Sequence, residues 1–490
     1  MNFEQEIKTL LFSRNFLIHI KTHEEERLEH ILSSISHKYF NHTIYIWDFI
    51  EGYNNYPNYI GQAKRNPLEA LNIIYKTSNK TTNIFFKDFE NFINDFSITR
   101  KLKNIYRNQQ VNKSYIIITG YEIKIPSNLQ EYTTSLELPL PNNNEIIMEI
   151  NRLYSIFHKK FSNKNYDIQK LVLAYQGFSI EQIRKSISKI IFLNISHDKL
   201  INNILLEKKQ IIQQTDILEF YSSNKKLNNI GGLKNLKSWL NKRSTTFSDK
   251  AKNYGIPIPK GILLVGIQGT GKSLIAKSLA SEWSLPLLKL DIGKIFAGIV
   301  GESENRMRKM IQTSERLSPC ILWIDEIDKT FSKYQNYNDS GTNNRVMNSL
   351  LIWLAEKNKY VFIIATANNI IHIPPEILRK GRFDEIFFLD LPTFEERLNI
   401  FKIHLQRFRP YSWYKYNLYY LSKITYLFSG AEIEQSIIEA MYNAFNDNRE
   451  FNTRDIAIAI KELIPLAFIY KEQINNLKKL IETGKVRSAS

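Results

Sequence analysis

Eight consecutive residues in the second half of the chain have the types and spacing that could hold a phosphate group. They are Gly266, Ile267, Gln268, Gly269, Thr270, Gly271, Lys272 and Ser273, between an apolar run and a helical pattern. Glycines let the backbone curl so that its N–H groups point at a β-phosphate, and the following helix start adds positive potential. Lys272 would reach the β- and γ-phosphates, and the Ser273 hydroxyl would bind Mg²⁺. A purely structural glycine turn is the alternative.

A second group of polar side chains follows two apolar runs that indicate strands. Asp325 and Glu326 end the run that begins at Ile321, and Asn368 ends the next run. Strands buried on both faces bring their last residues to the carboxyl edge of a parallel sheet, where ligands bind. Asp325 would hold the Mg²⁺ shell, Glu326 would orient and polarise a water, and Asn368 would hydrogen-bond the γ-phosphate or that water. Solvated strand ends are the alternative.

Two regions show the alternation of strands and helices that builds a parallel sheet. Strand-like runs begin at Phe16, Thr43, Asn83 and Tyr115 in the first region, and at Gly261, Leu287, Cys320 and Tyr360 in the second. The pattern predicts an α/β domain at 1–143, a helical bundle at 144–206, a polar linker at 207–229, an α/β domain at 230–392, and a helical domain with a C-terminal tail at 393–490.

The first α/β domain lacks the residues that phosphate binding needs. Where a phosphate loop would lie, it has His23-Glu-Glu-Glu-Arg27, with no glycine and no loop lysine. Asp88 and Glu90 follow a strand-like run, but Phe89 separates them, and a structural role is the preferred explanation. We therefore predict that this domain does not bind ATP in the ordinary way.

Short segments in the two halves of the chain are nevertheless similar in sequence. Leu136-Glu-Leu-Pro139 matches Leu389-Asp-Leu-Pro392, and Gly177-Phe-Ser-Ile-Glu-Gln matches Gly430-Ala-Glu-Ile-Glu-Gln. A diverged tandem duplication is our interpretation. Chance similarity of short apolar segments is the alternative.

Length and composition exclude several classes of protein. A chain of 490 residues is too long for one hydrophobic core, and 43% hydrophobic residues argue against global disorder. A single cysteine, Cys320, excludes a disulfide framework and a Cys-based zinc site. No apolar run reaches the roughly 18 residues of a membrane span, and the acidic start is unlike a targeting peptide. The net charge of +17 would suit an anionic partner, but the lysines are dispersed and AT-rich codon bias is the preferred explanation.

From Ile230 to about Tyr470 the chain resembles the AAA family of P-loop ATPases, motif by motif. The resemblance identifies the phosphate loop as Walker A, Asp325 and Glu326 as Walker B, and Asn368 as sensor one. It implies a P-loop NTPase α/β domain with a parallel sheet and a small helical lid, preceded by a degenerate AAA-like α/β domain with its own helical region. ATP and Mg²⁺ are the implied cofactors.

The same resemblance assigns residues outside the phosphate loop. Ile230 and Gly231 match the adenine-side motif, and the segment Ser429, Gly430 and Ala431 matches the lid contact to the nucleotide. Arg379 and Arg382 match the arginine fingers that complete a neighbouring subunit's site, with a solvated turn as the alternative. In the family these elements imply a homo-oligomeric ring, usually a hexamer.

Two features separate this chain from familiar members of the family. Motors that thread polypeptide usually carry an aromatic residue in the first pore loop, whereas here Ile299 takes that position and Phe296 lies three residues earlier. This difference argues against efficient threading. The chain also has no His-Glu-x-x-His motif, which excludes a membrane-anchored AAA metalloprotease.

The leading prediction is an Mg²⁺-dependent ATPase that works as a ring and remodels a protein partner. The alternative is a nucleotide-regulated assembly or binding module with little turnover, whose N-terminal half holds a protein or, less favoured, a nucleic acid. No membrane span is expected. The resemblance extends to AAA proteins encoded in red-algal plastids, with cyanobacterial relatives, and so implies a location in the chloroplast stroma, with the cytoplasm as the alternative.

Overall fold

The computed structural model describes most of the chain. The described residues are 3–13, 15–40, 43–76, 82–108, 114–120, 125–156, 168–193, 197–212, 217–221, 227–247, 249–296, 302–329, 340–472, 474–475 and 486–490. They divide into two compact units, Met1–Glu149 with Phe178–Lys185 and Ile150–Gly177 with Ser186–Ser490.

Within the described residues, thirteen strands form two sheets. They are β1 Leu17–Lys21, β2 Tyr45–Asp48, β3 Gly52–Tyr53, β4 Thr82–Phe86, β5 Ser114–Thr119, β6 Thr133–Glu137, β7 Leu218–Tyr221, β8 Gly261–Gly266, β9 Leu287–Leu290, β10 Cys320–Ile324, β11 Val361–Ala367, β12 Glu385–Leu389 and β13 Arg487–Ser488.

The α-helices of the described part surround these sheets or follow them. They are Phe3–Phe12, Glu25–Phe40, Pro67–Lys76, Phe96–Asn108, Asn143–Ile156, Ile168–Tyr175, Ile180–Phe192, His197–Ile212, Lys234–Arg243, Asp249–Tyr254, Lys272–Trp283, Ile292–Phe296, Glu302–Arg316, Ser340–Glu356, Pro375–Leu378, Phe394–Phe408, Leu418–Ile424, Gly430–Asn446 and Thr453–Glu462. No described helix is long and apolar enough to cross a membrane.

The first sheet has the order β3-β2-β4-β5-β1-β6, and its strands are parallel except for the β2–β3 pair. Strand β1 lies between β5 and the edge strand β6, and four of its five residues are buried. One apolar cluster lies on each face of this sheet. This is the arrangement that β-branched and aromatic runs alternating with helices predict.

The second sheet has the order β13-β12-β8-β11-β10-β9-β7. All of its neighbouring pairs are parallel except β7–β9. Every residue of β8, β10 and β11 is buried, which explains their nearly continuous apolar sequences. The carboxyl ends of these three strands form one edge of the sheet, and that edge carries the residues predicted to do chemistry.

Four helices after β12 form a small helical domain with its own apolar core. Three of them begin with reciprocal capping boxes: Thr393 with Glu396, Ser429 with Glu432, and Asn452 with Asp455. In each box the two side chains satisfy backbone N–H groups that the helix start leaves unpaired. The sequence therefore fixes where each of these helices begins.

Two segments differ from the predicted organisation. Part of the expected linker forms strand β7, which pairs antiparallel with β9, and part of the expected C-terminal tail forms strand β13, which pairs with β12. Both strands gain their order from pairing with a neighbour, so their short sequences carry little signal. The predicted helical bundle is also shared between the two compact units. The other domain boundaries stay predictions.

Candidate nucleotide-binding site

The phosphate-loop segment lies between β8 and the helix Lys272–Trp283, at the carboxyl edge of the second sheet. Gly269 and Gly271 have φ values of +82° and +93°, a left-handed backbone that side-chain-bearing residues rarely adopt. A Cβ atom at Gly269 would also lie 2.6 Å from Ser429 Oγ. The loop thus has the curled conformation that its glycines predict.

The loop lysine is folded back onto its own loop. Lys272 is 8% exposed, and its Nζ donates hydrogen bonds to the carbonyl oxygens of Gly266 (2.6 Å) and Ile267 (2.7 Å). Burial lowers the pKa of Lys272 to about 8, although nearby carboxylates oppose this shift. A buried ammonium held only by neutral carbonyls would gain more from an anionic ligand, because opposite charge compensates for its lost hydration.

Hydroxyl and carboxylate oxygens gather beside this lysine. Asp325 Oδ1 accepts a hydrogen bond from Thr366 Oγ1 at 2.7 Å and a longer one from Ser273 Oγ at 3.4 Å. In the described residues, no group of three or more His, Cys, Asp or Glu side chains could hold a metal. A hydroxyl and one carboxylate nevertheless fit Mg²⁺, which takes few protein oxygens and completes its shell with phosphates and water. Ser273 and Asp325 are therefore the candidate metal ligands.

Glu326 is held in place by two neighbours. Its Oε1 accepts from Asn368 Nδ2 at 3.3 Å, and its Oε2 lies 2.8 Å from Lys329 Nζ. The hydrogen bond from Lys329 holds the pKa of Glu326 below its usual value, so this carboxyl is ionised at neutral pH. The backbone of Glu326 is left-handed, with φ +50°, and its N–H donates to Thr366 Oγ1. The structure thus brings Asn368 and Glu326 together.

Two residues that support these side chains do not stand out in the sequence. Thr366 binds both the Asp325 carboxylate and the Glu326 backbone. Asp328 is 4% exposed, and its Oδ2 accepts from the backbone N–H groups of Asn368 and Asn369. Asp328 therefore ties the end of β11 to the turn after β10. The sequence does show an acidic residue three positions after Asp325. Its burial and its hydrogen bonds to the backbone indicate a structural role.

A cavity of about 740 Å³ lies against the carboxyl edge of the second sheet and against the small helical domain that begins with the helix Phe394–Phe408. We call this helical domain the lid. Its lining contains Ile230, Gly231, Gln268, Gly269, Thr270, Gly271, Lys272, Ser273, Asp325, Glu326, Asn368, Gly430 and Ala431. Gly266 and Ile267 are outside this lining, and they contribute the carbonyls that bind Lys272. The volume and the mixture of apolar walls with a few polar groups are typical of a small-molecule site.

The lid supplies a wall of the cavity that the sequence patterns missed. Ile400 and Ile403 give it apolar surface, and His404 Nδ1 lies 3.5 Å from Glu434 Oε1. The lid also contacts the phosphate loop directly, because the N–H of Ala431 donates to the carbonyl oxygen of Gly269 at 3.2 Å. The tight position in this contact is Gly269, where a Cβ atom would lie 3.2 Å from the Cβ atom of Ala431.

The two arginines predicted to act on a neighbouring subunit lie elsewhere. Neither Arg379 nor Arg382 is among the described residues that line the nucleotide cavity. Arg379 is exposed and lines a second cavity of about 1230 Å³, while Arg382 is half-buried. The pore-loop residue Ile299 and the side chain of Phe296 fall outside the described part of the chain.

Comparison with known proteins agrees with this geometry. The AAA family, ATPases associated with various cellular activities, matches residues 262–391, and the SpoVK-like AAA ATPase N-terminal domain matches residues 3–138. The chain is 55% identical to the "Uncharacterized AAA domain-containing protein ycf46" of Gracilaria tenuistipitata var. liui, over 100% of both chains. It is 50% identical to the protein of that name from Guillardia theta, over 100% of this chain and 97% of that one.

A more distant similarity covers less than half of the chain. The proteasome-activating nucleotidase of Sulfurisphaera tokodaii is 35% identical over 218 residues, which is 43% of this chain and 55% of that protein. The full-length similarity is to the ycf46 proteins of plastid-bearing algae. From these matches and the site geometry, the chain belongs to the AAA ATPase family and carries an SpoVK-like N-terminal domain.

Proposed function

We propose that this AAA protein binds ATP with Mg²⁺, hydrolyses it, and uses the cycle in a homo-oligomeric ring to remodel a protein partner. The observation that carries the proposal is the convergence of the phosphate loop, Asp325, Glu326 and Asn368 on one cavity. Hydrogen bonds join Ser273 and Thr366 to Asp325, and Asn368 to Glu326. A preorganised set of this kind suits phosphoryl transfer, in which positioning and charge stabilisation supply most of the rate.

Each side chain has a role that its environment supports. Lys272 would bind the β- and γ-phosphates, and Ser273 with Asp325 would hold Mg²⁺. When bound, the metal ion would neutralise charge on the phosphate oxygens. Because Glu326 has a lowered pKa, it would act as an ionised carboxylate that orients and polarises the attacking water. Asn368 fixes one oxygen of Glu326 and leaves the carboxylate facing the cavity.

The lid explains how hydrolysis could move a partner. A nucleotide in the cavity would touch both the phosphate loop and the start of the helix Gly430–Asn446, which are in contact at Ala431. Loss of the γ-phosphate would change the contacts that set the lid position, and a ring would pass the change to its neighbours. The relatives from plastid-bearing algae support a location in the plastid, which we place in the stroma.

The test of turnover uses two variants with different expected defects. Lys272→Ala should weaken ATP binding on the order of 100-fold, because the cavity loses its buried cation. Glu326→Gln should bind ATP like the parent but lose turnover by on the order of 100-fold. Undiminished hydrolysis in Glu326→Gln would show that Glu326 is not the catalytic carboxylate. A parent that assembles on ATP without turnover would favour the alternative of a nucleotide-regulated assembly module.

The ring proposal has its own test. If Arg379 acts on a neighbouring subunit, Arg379→Ala chains should inhibit parent chains more than in proportion to their share of a mixed assembly. Lys380→Ala, next to it and also exposed, is the matched control. Activity that falls in strict proportion to the share of Arg379→Ala would argue against action between subunits. The trapped Glu326→Gln chain, incubated with ATP in a stromal extract, would retain a client for identification.

A further inference from the structure

Asp325 has a lysine beside it that no phosphate-binding motif includes. Lys289 Nζ lies 3.8 Å from Asp325 Oδ2, and the two side chains are 27% and 26% exposed. The other carboxylate oxygen accepts hydrogen bonds from Thr366 and Ser273. One oxygen of the candidate metal ligand is therefore bound by hydroxyl groups, and the other faces a cation.

Strand register holds Lys289 in this place. In β9 it is paired with Trp323 of β10 and with Glu219 of β7. Its Nζ lies 4.9 Å from the centre of the Trp323 ring and 5.8 Å from that of Tyr221. These rings meet edge to face at 5.7 Å. Cation–π attraction to two fixed rings restricts where the ammonium can go.

A second lysine uses the same rings without reaching the carboxylate. Lys277 Nζ lies 5.2 Å from the centre of the Tyr221 ring and 5.5 Å from that of Trp323. Lys277 comes from the helix Lys272–Trp283 and is outside the lining of the nucleotide cavity. It is therefore an internal control for any effect that comes from the aromatic pair alone.

A cation next to a metal-binding carboxylate must affect the metal. In the absence of a metal ion, the ammonium of Lys289 and the carboxylate of Asp325 attract each other. A divalent ion at the same carboxylate would be repelled by the ammonium, and partial burial weakens solvent screening of that repulsion. The two effects act in the same direction, since each makes metal binding less favourable.

We propose that Lys289 is a positioning residue that raises the Mg²⁺ concentration at which the nucleotide site takes up metal. Tyr221 and Trp323 hold it against Asp325. The inference rests on the proposed ATP and Mg²⁺ function and adds a control of metal affinity to it. Because Tyr221 belongs to β7, a displacement of that strand would release Lys289 and make metal uptake easier.

The test is a Mg²⁺ titration of ATP binding by the full chain at constant ionic strength, followed with a fluorescent ATP analogue and by calorimetry. Lys289→Met should lower the half-saturating Mg²⁺ concentration about tenfold, and Lys289→Arg should keep it near the parent value. Tyr221→Ala should shift it in the same direction by about threefold. Lys277→Met should change it by less than about twofold.

An unchanged or higher Mg²⁺ requirement in Lys289→Met would overturn the inference, and an equal shift in Lys277→Met would assign the effect to general charge. Binding of the analogue in EDTA reports on the phosphate loop separately. A parent chain that binds no nucleotide contradicts the proposed function, whereas a parent that binds it with no response to Lys289→Met contradicts only this inference. Lys289→Gln, a polar replacement, gives the same test if the methionine variant folds poorly.

Discussion

The two α/β regions of this chain build the same sheet and use its carboxyl edge differently. Five parallel strands run in the order β2-β4-β5-β1-β6 in the first region and β9-β10-β11-β8-β12 in the second. In both, the first strand of the region lies between its fourth and fifth strands. This shared order supports the predicted duplication. What differs is the turn that leads from this first strand into the following helix, at residues 22–24 after β1 and residues 267–271 after β8.

In the first region the charged side chains at this turn pair with one another and with nearby backbone groups. Glu24 Oε1 accepts a hydrogen bond from the N–H of Ile180 at 2.6 Å, and Glu24 Oε2 accepts from Arg27 at 2.9 Å. Arg27 also donates to Glu145 at 2.9 Å and to the carbonyl oxygen of Pro139 at 2.7 Å. Glu24 and Arg27 are only 11% and 10% exposed. A carboxylate therefore occupies the start of a helix, where negative charge is stabilised.

In the second region the equivalent turn carries a lysine whose described hydrogen bonds go to backbone carbonyl oxygens. The helix Gly430–Asn446 begins at a capped serine, as the helix Ile180–Phe192 does, but it meets the backbone of Gly269 instead of a carboxylate. The nearby carboxylates of Asp325, Glu326 and Asp328 act on Lys272 through electrostatic attraction. One scaffold thus gives a turn closed by internal ion pairs and a turn that needs a ligand to complete it.

In each region, the acidic residue after the third strand has the same backbone conformation. Asp88 follows β4 and Glu326 follows β10, each two residues after the strand ends, and both have a left-handed backbone with φ near +50°. Glu326 is oriented by Asn368, whereas Gly120 follows β5 in the first region and the Glu90 side chain fills the space where a Cβ would stand. The two regions therefore share a backbone conformation at this position. They differ in the neighbouring side chains that would give the acidic residue a catalytic role.

The comparison predicts its largest effect for Arg27→Ala. Removing this nearly buried cation leaves Glu24 and Glu145 without their partner, so the free energy of unfolding of the first unit should fall by about 3 kcal/mol. Hydrogen exchange of the helix Ile180–Phe192 with increasing urea would measure it. ATP affinity should not change. Lys185→Ala, which removes the exposed pair with Glu181, should leave the unfolding free energy unchanged within error.

An ATP affinity that fell with Arg27→Ala would show that the first region takes part in nucleotide binding. An unchanged hydrogen exchange would show instead that the Glu24–Arg27 contacts do not close the turn. Either result would break the contrast between the two turns.

A smaller effect is expected for Gly269→Ala, with Gly255→Ala as its matched control. Both glycines have φ +82°, so each alanine should cost about 1 kcal/mol of backbone strain. Nothing lies within 4 Å of a Cβ at Gly255, whereas one at Gly269 would meet Ser429. ATP affinity, measured by calorimetry, should therefore fall about tenfold in Gly269→Ala only. Equal losses in both variants would mean that the close approach of the lid does not matter.

The smallest predicted effect is a shift of the pH profile in Lys329→Ala. Lys329 lowers the pKa of Glu326, so its removal raises that pKa. Activity requires the ionised carboxylate and is lost as the pH falls through the pKa. The acid limb of kcat/KM should therefore move to higher pH. Lys87→Ala, beside Asp88 in the first region, should leave the profile unchanged, and a shift there would contradict the assignment.

The sequence predicted the central strands well and the edge strands poorly. The runs that begin at Gly261, Leu287 and Cys320 are strands β8, β9 and β10, because burial on both faces demands continuous apolar residues. Strands β7 and β13 have four and two residues and depend on pairing with a neighbour. The supporting roles of Thr366 and Lys289 also depend on register between strands, which no local pattern reveals.

The structure aligns the two halves of the predicted repeat differently from the sequence match. The sequence match aligned Gly177 with Gly430, but the capping serines are Ser179 and Ser429. Aligned by these caps, Gly177 corresponds to Leu427, and both have positive φ, +89° and +66°. The conserved feature is the left-handed residue two positions before the helix cap. Short sequence identity placed it wrongly because the two positions hold different residue types.

The net positive charge is distributed unevenly between the two α/β regions. Residues 1–143 contain 16 Lys and Arg against 15 Asp and Glu, whereas residues 230–392 contain 23 against 15. The first α/β region is therefore almost neutral, at +1, and the ATPase region carries +8. This balance removes the charge argument for a nucleic-acid partner of the first region.

The two short outer strands of the second sheet also determine how the domain can be produced on its own. β7 and β13 cover β9 and β12, and both come from outside residues 230–392. A fragment cut at those limits would present two rows of unpaired backbone N–H and C=O groups, which recruit strands from other molecules. We expect that fragment to aggregate, and a chain that keeps residues 217–221 and 486–490 to remain monodisperse in light scattering.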